Sequence, residues 1–410
     1  MLLGSPMSPN RPLDLAAVRA AADVIRPHAR RTPTVYSHTF SEGAHCDVWL
    51  KLECLQRTGS FKLRGALNKV SALSADARSR GLVAASAGNH AQGVALAAKL
   101  AGVPATIVMP RATPINKVQR TEGHGATVVL HGESFDEAYA HALALVDERG
   151  LVLVHPIDDA DVIAGQGTLG LEVLEEVPDL DAIVLPIGGG GLAAGVALAV
   201  KALAPRVRVI GVQAAGADAM ARSFHAGTRV TLERAHTSAD GIRVAQPGAL
   251  TLELVRRHVD DVVTVDDGEL AEAVVQAMEK ERVVAELAGV AGVAALAHGK
   301  VRGAKRVCAV VSGGNIDLNL LARIIESGLA SSGRYHLVRL RVPDVPGQLA
   351  QVLAVVSDAQ GNVLDVQHYR SGWKVPLGFT DIEVLVETRR AGQGAAIDAA
   401  LAAKGFEVRA

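Results

Sequence analysis

The sequence has few cysteines, few aromatic residues and no excess of either charge. Of its 410 residues only 3 are cysteine and 3% are aromatic. An odd number of cysteines without a C-x-x-C pair argues against a disulfide framework and fits a reducing compartment. The 42 basic and 43 acidic residues nearly cancel, which argues against nucleic acid as the main partner. No apolar stretch approaches the roughly 20 residues that cross a bilayer.

The start of the chain lacks the features of a secretory signal. Residues Met1–Asn10 contain no basic segment and only two adjacent leucines, and Met7 offers an alternative start. Without a targeting segment, the expected location is the cytoplasm. At about 100–200 residues per domain, the length predicts two or three domains.

Between Val48 and Val311, short β-branched segments alternate with alanine-rich segments of helical length. Several predicted strands are apolar nearly throughout, as strands buried on both faces of a parallel sheet are. The alternation predicts an α/β fold, in which ligands bind at the carboxyl ends of the strands. The predicted strands are Val48–Leu52, Leu82–Ala85, Ala105–Met109, Thr127–Leu130, Ala182–Ile187, Val207–Val212, Val262–Val265 and Val307–Val311. The predicted helices include Gln92–Ala101, Phe135–Arg149, Leu192–Leu203 and Asp267–Glu281.

The pattern changes after Gly328. The glycine- and serine-containing stretch that begins there predicts a linker over residues 329–334, which leaves 1–328 as the larger domain. Beyond the linker, the order β-α-β-β-α-β predicts a small ferredoxin-like domain over 335–410. Its predicted strands are 338–342, Val363–Tyr369, Thr380–Glu387 and Phe406–Arg409, and its predicted helices are 349–356 and Ala395–Ala403.

Four consecutive glycines, Gly188 to Gly191, follow a buried strand and precede a helix. Their free backbone N–H groups and the helix N-terminus suit a phosphate group. Gly189, Gly191 and Ala194 also match a dinucleotide motif, but the next strand ends at Gln213, where such a site requires a carboxylate. A single phosphate is therefore favoured over a nicotinamide dinucleotide and over a turn without a ligand.

A lysine next to an aromatic residue stands at a predicted helix start. Ser60 is a plausible N-cap, which puts Phe61 and Lys62 in the first turn. An ammonium at a helix N-terminus is disfavoured, so the pKa of Lys62 should fall and its free amine should become available for a Schiff base. Taken alone the signal is weak, because most lysines are solvated surface groups.

Two further polar turns follow predicted strands. Ser86, Asn89 and His90 concentrate donors ahead of a helix and suit a carboxylate, unless they only cap that helix. Ser312 offers a hydroxyl at the end of another strand, or caps the next helix. Together the four loops describe a pyridoxal-phosphate (PLP) site, in which the lysine carries the aldehyde, the glycines hold the phosphate and Ser312 faces the ring nitrogen. The turn at Ser86 would then hold the carboxylate of the substrate.

These motifs resemble those of threonine dehydratase (threonine ammonia-lyase), a fold type II PLP enzyme related to tryptophan synthase β. The resemblance runs from about Leu13 to Gly328 and implies two open parallel-sheet subdomains, the smaller inserted at about 53–155. The segment from Tyr335 resembles an ACT domain, a small regulatory domain. The matching motifs are Ser60–Ala66, Ser86–Gly93, Gly188–Leu192, Ser312–Asn315 and, in the ACT-like part, Asp344–Leu349.

The resemblance implies a role for each motif. Lys62 would form the Schiff base, with Phe61 on one face of the ring and Asn89 at the ring hydroxyl. The residues implied at the phosphate and ring nitrogen are Gly188, Gly189, Gly190, Gly191, Leu192 and Ser312. Those implied at the substrate carboxylate are Ser86, Ala87, Gly88, Asn89 and His90.

Some positions depart from the pattern of the family. Glu286 is retained near the site, but in a Glu-Leu-Ala-Gly run where the family usually has Glu-Pro-Ser-Gly. Gln213 replaces a glutamate that often binds a cation, so no metal site is assigned.

The implied reaction is β-elimination of L-threonine to 2-oxobutanoate and ammonia, expected as the first step toward isoleucine. Serine dehydration and serine racemisation remain open, because enzymes with those activities share the same plan. Racemases carry a second serine where this chain has Ala87, which cannot move a proton, so elimination is favoured. The Ser86–His90 turn disfavours a β-replacement enzyme of the cysteine synthase type, and the intact Lys62 disfavours a non-catalytic amino-acid-binding regulator.

For the C-terminal domain, the resemblance implies an allosteric amino-acid sensor. Isoleucine or valine is the natural effector, bound by Asp344, Gly347 and Asn362 at a subunit interface. The alternative is a plain dimerisation module, because ferredoxin-like sheets often pair edge to edge. Either role predicts a homo-oligomer, a dimer or tetramer.

Overall fold

The computed structural model describes residues 12–331, 333–370, 375–390 and 392–409, so the segment Met1–Asn10 lies outside the described residues. The chain divides into two compact units, Met1–Ile316 and Asp317–Ala410. The boundary precedes the predicted linker at 329–334, because residues Leu318–Ser331 form a helix. Gly328 does not interrupt that helix, since one interior glycine costs only about 1 kcal/mol. The division between the units therefore lies 12 residues before the predicted boundary at 328.

The first unit alternates strands and helices, as predicted for an α/β fold. Its strands are β1 Thr34–Ser37, β2 Asp47–Leu52, β3 Leu82–Ala85, β4 Ala105–Met109, β5 Thr127–Leu130, β6 Val152–Leu153, β7 Ala182–Pro186, β8 Arg208–Ala214, β9 Asp261–Val265 and β10 Arg306–Val311. Its helices are α1 Leu15–Ile25, α2 His38–Ala44, α3 Lys62–Ser71, α4 Ala75–Arg80, α5 Asn89–Ala101, α6 Ile115–Gly123, α7 Phe135–Arg149, α8 Ala160–Glu176, α9 Gly191–Leu203, α10 Ala219–Ala226, α11 Ala249–His258, α12 Asp267–Glu281 and α13 Ala291–Ala297.

Two sheets organise this unit. The larger has the order β1-β2-β10-β7-β8-β9, and its strands are parallel except for β1, which pairs antiparallel with β2. The smaller has the order β5-β4-β3-β6 and is parallel throughout. Its strands run from Leu82 to Leu153, inside the range 53–155 predicted for an inserted subdomain. Parallel strands β3, β7 and β10 are buried nearly throughout, because helices cover both faces of such sheets.

Helices α3 and α8 pack against each other at two glycines. A Cβ atom at Gly65 would lie 2.7 Å from the carbonyl oxygen of Val162, and one at Gly165 would lie 2.6 Å from the carbonyl oxygen of Arg64. Neither position has room for a side chain, so both glycines are needed for this close approach. The contact fixes the first turns of α3, where Lys62 lies.

The second unit has the predicted β-α-β-β-α-β order. It comprises α14 Leu318–Ser331, β11 Tyr335–Pro343, α15 Gln348–Asp358, β12 Asn362–Tyr369, β13 Phe379–Glu387, α16 Gln393–Ala403 and β14 Glu407–Arg409. The antiparallel sheet has the order β12-β13-β11-β14. Its core includes Val338, Leu340 and Val342, which alternate along β11 with exposed or half-buried residues, as a strand with one buried face requires. Across the described parts of both units, no helix combines the length and apolarity needed to cross a membrane.

Candidate active site

The loop before α3 and the loop after β10 lie side by side. The backbone N–H of Phe61 donates to the carbonyl oxygen of Ser312 at 3.1 Å, and that of Gly314 donates to the carbonyl oxygen of Gly59 at 2.9 Å. Ser60 forms an isolated bridge with Gly313. Because this bridge holds Ser60, helix α3 begins at Lys62 without a side-chain cap, and the prediction that Ser60 is the N-cap is wrong.

Lys62 has a half-buried side chain whose amine has no charged partner among the described residues. Its Nζ atom donates to the carbonyl oxygen of Pro156 at 2.8 Å and lies 5.3 Å from the centre of the Phe61 ring. Burial lowers the pKa of Lys62 from 10.5 to about 8, because a cation loses hydration that a single carbonyl does not replace. The direction agrees with the sequence prediction, but the cause is burial rather than the helix N-terminus. The amine is therefore suited to attack an aldehyde or to accept a proton.

The four glycines connect β7 to α9 with no room for side chains. Gly190 has φ +102°, and a Cβ atom at Gly189 would lie 2.1 Å from Cδ1 of Ile157. The Oγ1 hydroxyl of Thr251 donates to the carbonyl oxygen of Gly189 at 2.7 Å and holds the loop in place. Helix α9 begins at Gly191, so its unpaired backbone N–H groups lie at the loop. This arrangement suits a phosphate group.

The turn after β3 contains Ser86, Ala87, Gly88, Asn89 and His90. Helix α5 begins at Asn89, and the backbone N–H of Gly88 donates to Oγ of Ser86 at 3.2 Å. The first-turn N–H groups of α5 and the hydroxyl hydrogen of Ser86 are donors suited to a carboxylate.

The side chain of His90 cannot serve as predicted. Its Nε2 atom lies 2.8 Å from the carbonyl oxygen of Val154, which can only accept, so Nε2 carries the hydrogen. Burial, and then the charge of Lys62, lower the pKa of His90 to about 3, so the ring is neutral and Nδ1 is an acceptor. A carboxylate would be repelled by Nδ1, and only the backbone N–H of His90 remains available to it.

Asn89 lies between two side chains from distant parts of the chain. Its Nδ2 atom donates to Oε1 of Glu286 at 2.6 Å, and its Oδ1 atom accepts from Nδ2 of Asn315 at 2.8 Å. Burial, and then the charge of Asp240, raise the pKa of Glu286 to about 7. The structure thus brings Glu286 to the candidate site, where the sequence had suggested only that it is near.

Ser312 is buried at the carboxyl end of β10. Its backbone N–H donates to the carbonyl oxygen of Gly289 at 3.2 Å. A Cβ atom at Gly289 would lie 2.2 Å from the carbonyl oxygen of Gly313, so this position requires glycine. The run from Glu286 to Gly289 therefore supports the Ser312 loop although it lacks the proline usual in the family.

Sequence reasoning missed the charged residues that hold the start of α3. The guanidinium of Arg64 is fully buried and donates to both carboxylate oxygens of Glu53 at 2.8 Å. It also donates to Glu172 at 2.7 and 2.9 Å. These carboxylates raise the pKa of Arg64 against the opposing effect of burial. No local signal could reveal the contact, because Glu172 lies 108 residues away in the sequence.

The residues present fit the predicted cofactor. An amine of lowered pKa, a glycine loop at a helix N-terminus and a serine at a strand end are the groups that an aldehyde, a phosphate and a ring nitrogen need. Gln213, in contrast, is held by a hydrogen bond from the backbone N–H of Ala221 at 2.9 Å. In the described part of the chain, no cluster of three or more His, Cys, Asp or Glu side chains could hold a metal ion.

The predicted effector residues do not meet within one copy of the second unit. Gly347 caps the start of α15 with φ +95°, and Asp344 lies 3.5 Å from Arg370. Asn362 follows the other end of α15, where its side chain donates to Glu387 at 3.0 Å. An 11-residue helix is about 16 Å long. The three residues could bind one ligand only across an interface between copies.

Two family models match the chain. The model described as pyridoxal-phosphate dependent enzyme matches residues 25–313, and the ACT domain model matches residues 336–403. An L-threonine ammonia-lyase of Thermotoga maritima is 47% identical over 397 residues, which cover 97% of this chain and 99% of that protein.

Solved structures agree with this similarity. The processed form of threonine deaminase isoform 2 from Solanum lycopersicum is 37% identical with a TM-score of 0.74, covering 80% of this chain and 91% of that one. Maize serine racemase is 39% identical with a TM-score of 0.73, covering 78% of this chain and 98% of that one. The chain therefore belongs to the pyridoxal-phosphate dependent enzymes, in the family that includes the L-threonine ammonia-lyases with a C-terminal ACT domain.

Proposed function

We propose that the protein is a PLP-dependent L-threonine ammonia-lyase, which converts L-threonine to 2-oxobutanoate and ammonia. The amine of Lys62, which has no charged partner and a pKa lowered to about 8, is the observation that carries the proposal. The 47% identity to an L-threonine ammonia-lyase extends over both units, so it supports the regulatory part as well as the catalytic part.

The reaction assigns a task to each loop. When bound, PLP supplies the electron sink that stabilises negative charge at the substrate Cα. Lys62 would hold the cofactor, and its Nζ atom would take the Cα proton as general base. The glycine loop from Gly188, with Leu192 at the start of α9, would hold the phosphate, and Phe61 would lie beside the ring. Ser312 would offer the ring nitrogen a hydroxyl rather than a carboxylate.

The substrate carboxylate would bind at the turn after β3. The hydroxyl of Ser86 and the N–H groups of Ala87, Asn89 and His90 are candidate donors, while the His90 ring is not one. Gly88 already donates to Ser86 at 3.2 Å, which leaves the hydroxyl hydrogen of Ser86 free for an anion. We expect Ser86→Ala to raise KM for L-threonine more than it lowers kcat, because the carboxylate is bound in the ground state and the transition state alike.

Elimination is favoured over racemisation because Ala87 offers no proton donor or base. A keto-acid assay with L-threonine and L-serine side by side tests the proposal, with chiral analysis of residual serine. We expect 2-oxobutanoate as the main product and no D-serine. Pyruvate from serine as the preferred product would change the substrate to serine, and D-serine would favour a racemase.

We further propose that the second unit regulates the first in response to isoleucine or valine. Asp344, Gly347 and Asn362 would bind the effector between copies in a dimer or tetramer, and a coupling of about 1–3 kcal/mol would suffice. Deleting residues 317–410 should leave threonine elimination intact and abolish the response to both amino acids. Retained sensitivity in the truncated protein would put the effector site in the first unit. A cytoplasmic location and a role in the first step toward isoleucine would accord with regulation by these amino acids.

A further inference from the structure

Asn89 is the middle member of a chain of hydrogen bonds, which we call the amide chain (Thr58, Asn315, Asn89 and Glu286). Nδ2 of Asn315 donates to the carbonyl oxygen of Thr58 at 2.7 Å and to Oδ1 of Asn89 at 2.8 Å. Nδ2 of Asn89 then donates to Oε1 of Glu286 at 2.6 Å. The chain links the loops before α3, before α5, before α13 and after β10.

The amide chain has a fixed direction. The Thr58 carbonyl can only accept, so Asn315 must turn its NH₂ group toward it. The second hydrogen of that NH₂ group then requires the oxygen of Asn89, which turns the NH₂ group of Asn89 toward Glu286. Only one of the two hydrogens of Asn89 is used by Glu286. Because Asn89 is half-buried, its other N–H is available to a ligand in the site.

Gly59 and Gly313 lie against the side chains of Asn315 and Glu286, the two members of the amide chain that flank Asn89. Gly59 has φ +72°, and a Cβ atom there would lie 2.6 Å from Oδ1 of Asn315. A Cβ atom at Gly313 would lie 2.2 Å from Oε1 of Glu286. Any other residue at position 59 or 313 would collide with the side chain of Asn315 or Glu286. These two side chains are therefore packed closely against the backbone, which restricts their rotation.

We propose that Asn315 and Glu286 are positioning residues, which orient the amide of Asn89 so that an N–H and not an oxygen faces the ring oxygen of PLP. The proposal rests on the proposed function, since it takes Asn89 to contact the cofactor. A donor at this position favours the deprotonated form of the ring oxygen, whereas an amide oxygen would favour the protonated form. Either end of the amide chain can hold this orientation, and loss of both ends frees Asn89 to rotate.

A double-mutant cycle on PLP affinity tests this logic. The variants are Asn315→Ala, Glu286→Leu, which removes the acceptor for Asn89, and the combination of the two. We expect each single change to raise the dissociation constant of PLP about threefold and the double change to raise it about 50-fold, against about ninefold for independent effects. Asn319→Ala, at an exposed position of α14, is the matched control and should leave the constant unchanged.

The absorption spectrum of the loaded protein gives a second measurement that general destabilisation would not change. In the double variant, the visible band should lose intensity to the near-ultraviolet band of the protonated ring oxygen, while each single variant keeps most of the visible band. The proposal would be overturned if the two changes affected the dissociation constant of PLP independently and the double variant kept the wild-type spectrum. If Asn315→Ala does not fold, Asn315→Asp, which sets an acceptor against the Thr58 carbonyl, replaces it in the cycle. Failure of the wild-type protein to bind PLP would instead overturn the proposed function.

Discussion

A half-buried lysine and a fully buried arginine lie two residues apart at the start of α3, and their surroundings differ. Lys62 meets one carbonyl oxygen at 2.8 Å, and burial lowers its pKa to about 8. Arg64 meets the carboxylates of Glu53 and Glu172 at 2.7 to 2.9 Å, and these raise its pKa. Burial penalises both charges, so the difference comes from the partners. A partly desolvated cation without a charged partner becomes a reactive amine, and a paired one becomes a structural anchor.

The anchor also serves the reactive amine. Arg64 ties the first turn of α3 to Glu53, which follows β2, and to Glu172 in α8. Both carboxylates are fixed by further contacts, because Glu172 also pairs with the buried Lys51 at 2.8 Å and Glu53 accepts from Thr32 at 2.5 Å. We infer that these ion pairs fix the position of Lys62 without placing a carboxylate next to its amine.

The largest expected effect comes from removing the amine. Lys62→Ala should lower turnover of L-threonine about 10⁴-fold, equivalent to about 5.5 kcal/mol, because both the cofactor link and the general base are lost. Steady-state assays with added PLP measure it. An unreduced turnover in this variant would contradict the role of Lys62.

Matched substitutions at the two cations should affect stability in opposite directions. Arg64→Met leaves Glu53 buried without its main partner and should lower the free energy of unfolding by about 3–5 kcal/mol. Lys62→Met removes an uncompensated charge and should leave the stability unchanged or raise it at pH 7. Denaturant titration of both PLP-free variants measures the difference. Equal losses at the two positions would refute the comparison.

The lowered pKa of Lys62 also predicts a pH dependence. Between about pH 8 and 10.5 the unfolded chain keeps a proton that the folded chain has released, so the free energy of unfolding rises with pH through this window. Below pH 8 both states hold the proton and the penalty from Lys62 is fully present. The stability advantage of Lys62→Met over the PLP-free wild type should therefore shrink from pH 8 to 10.5. A constant advantage would mean that the amine titrates at its ordinary pKa.

The smallest effect is expected where a charged pair is exposed. Asp23 and Arg26 lie 2.8 Å apart in the region of α1, with side chains that are 73% and 76% exposed. Water and salt screen such a pair, so Asp23→Ala should change the free energy of unfolding by less than about 1 kcal/mol. The same denaturant titration measures this change. A loss of unfolding free energy as large as that of Arg64→Met would show that burial does not explain the difference between the exposed Asp23–Arg26 pair and the buried Glu53–Arg64 pair.

The sequence predicted best where the deciding contacts are local. Helices Phe135–Arg149 and Asp267–Glu281 were predicted to the residue, because their caps are adjacent in sequence. Ser134 accepts from a backbone N–H three residues on, and Asp266 forms a reciprocal capping box with Glu269. The glycine loop and the turns at Ser86 and Ser312 are likewise visible, since each follows its own strand.

Where a contact joins distant segments of the chain, the sequence does not predict it. Serine is a favourable N-cap residue, but Ser60 forms a bridge with Gly313, which lies near the C-terminal end of the first unit. His90 lies among donors in sequence, but its ring turns to Val154. The partners of Arg64 and Asn89 are also far away in the chain, so neither the anchor nor the amide chain has a local signature.

The most direct test is to identify the lysine that carries the cofactor. Reduction of the PLP-loaded protein with borohydride fixes the cofactor on its amine, and peptide mapping then locates the label. We predict the label on Lys62, with the same result in Arg64→Lys if that variant remains folded. A label on another lysine, or none after loading, would contradict the assignment of the buried, unpaired amine as the reactive one.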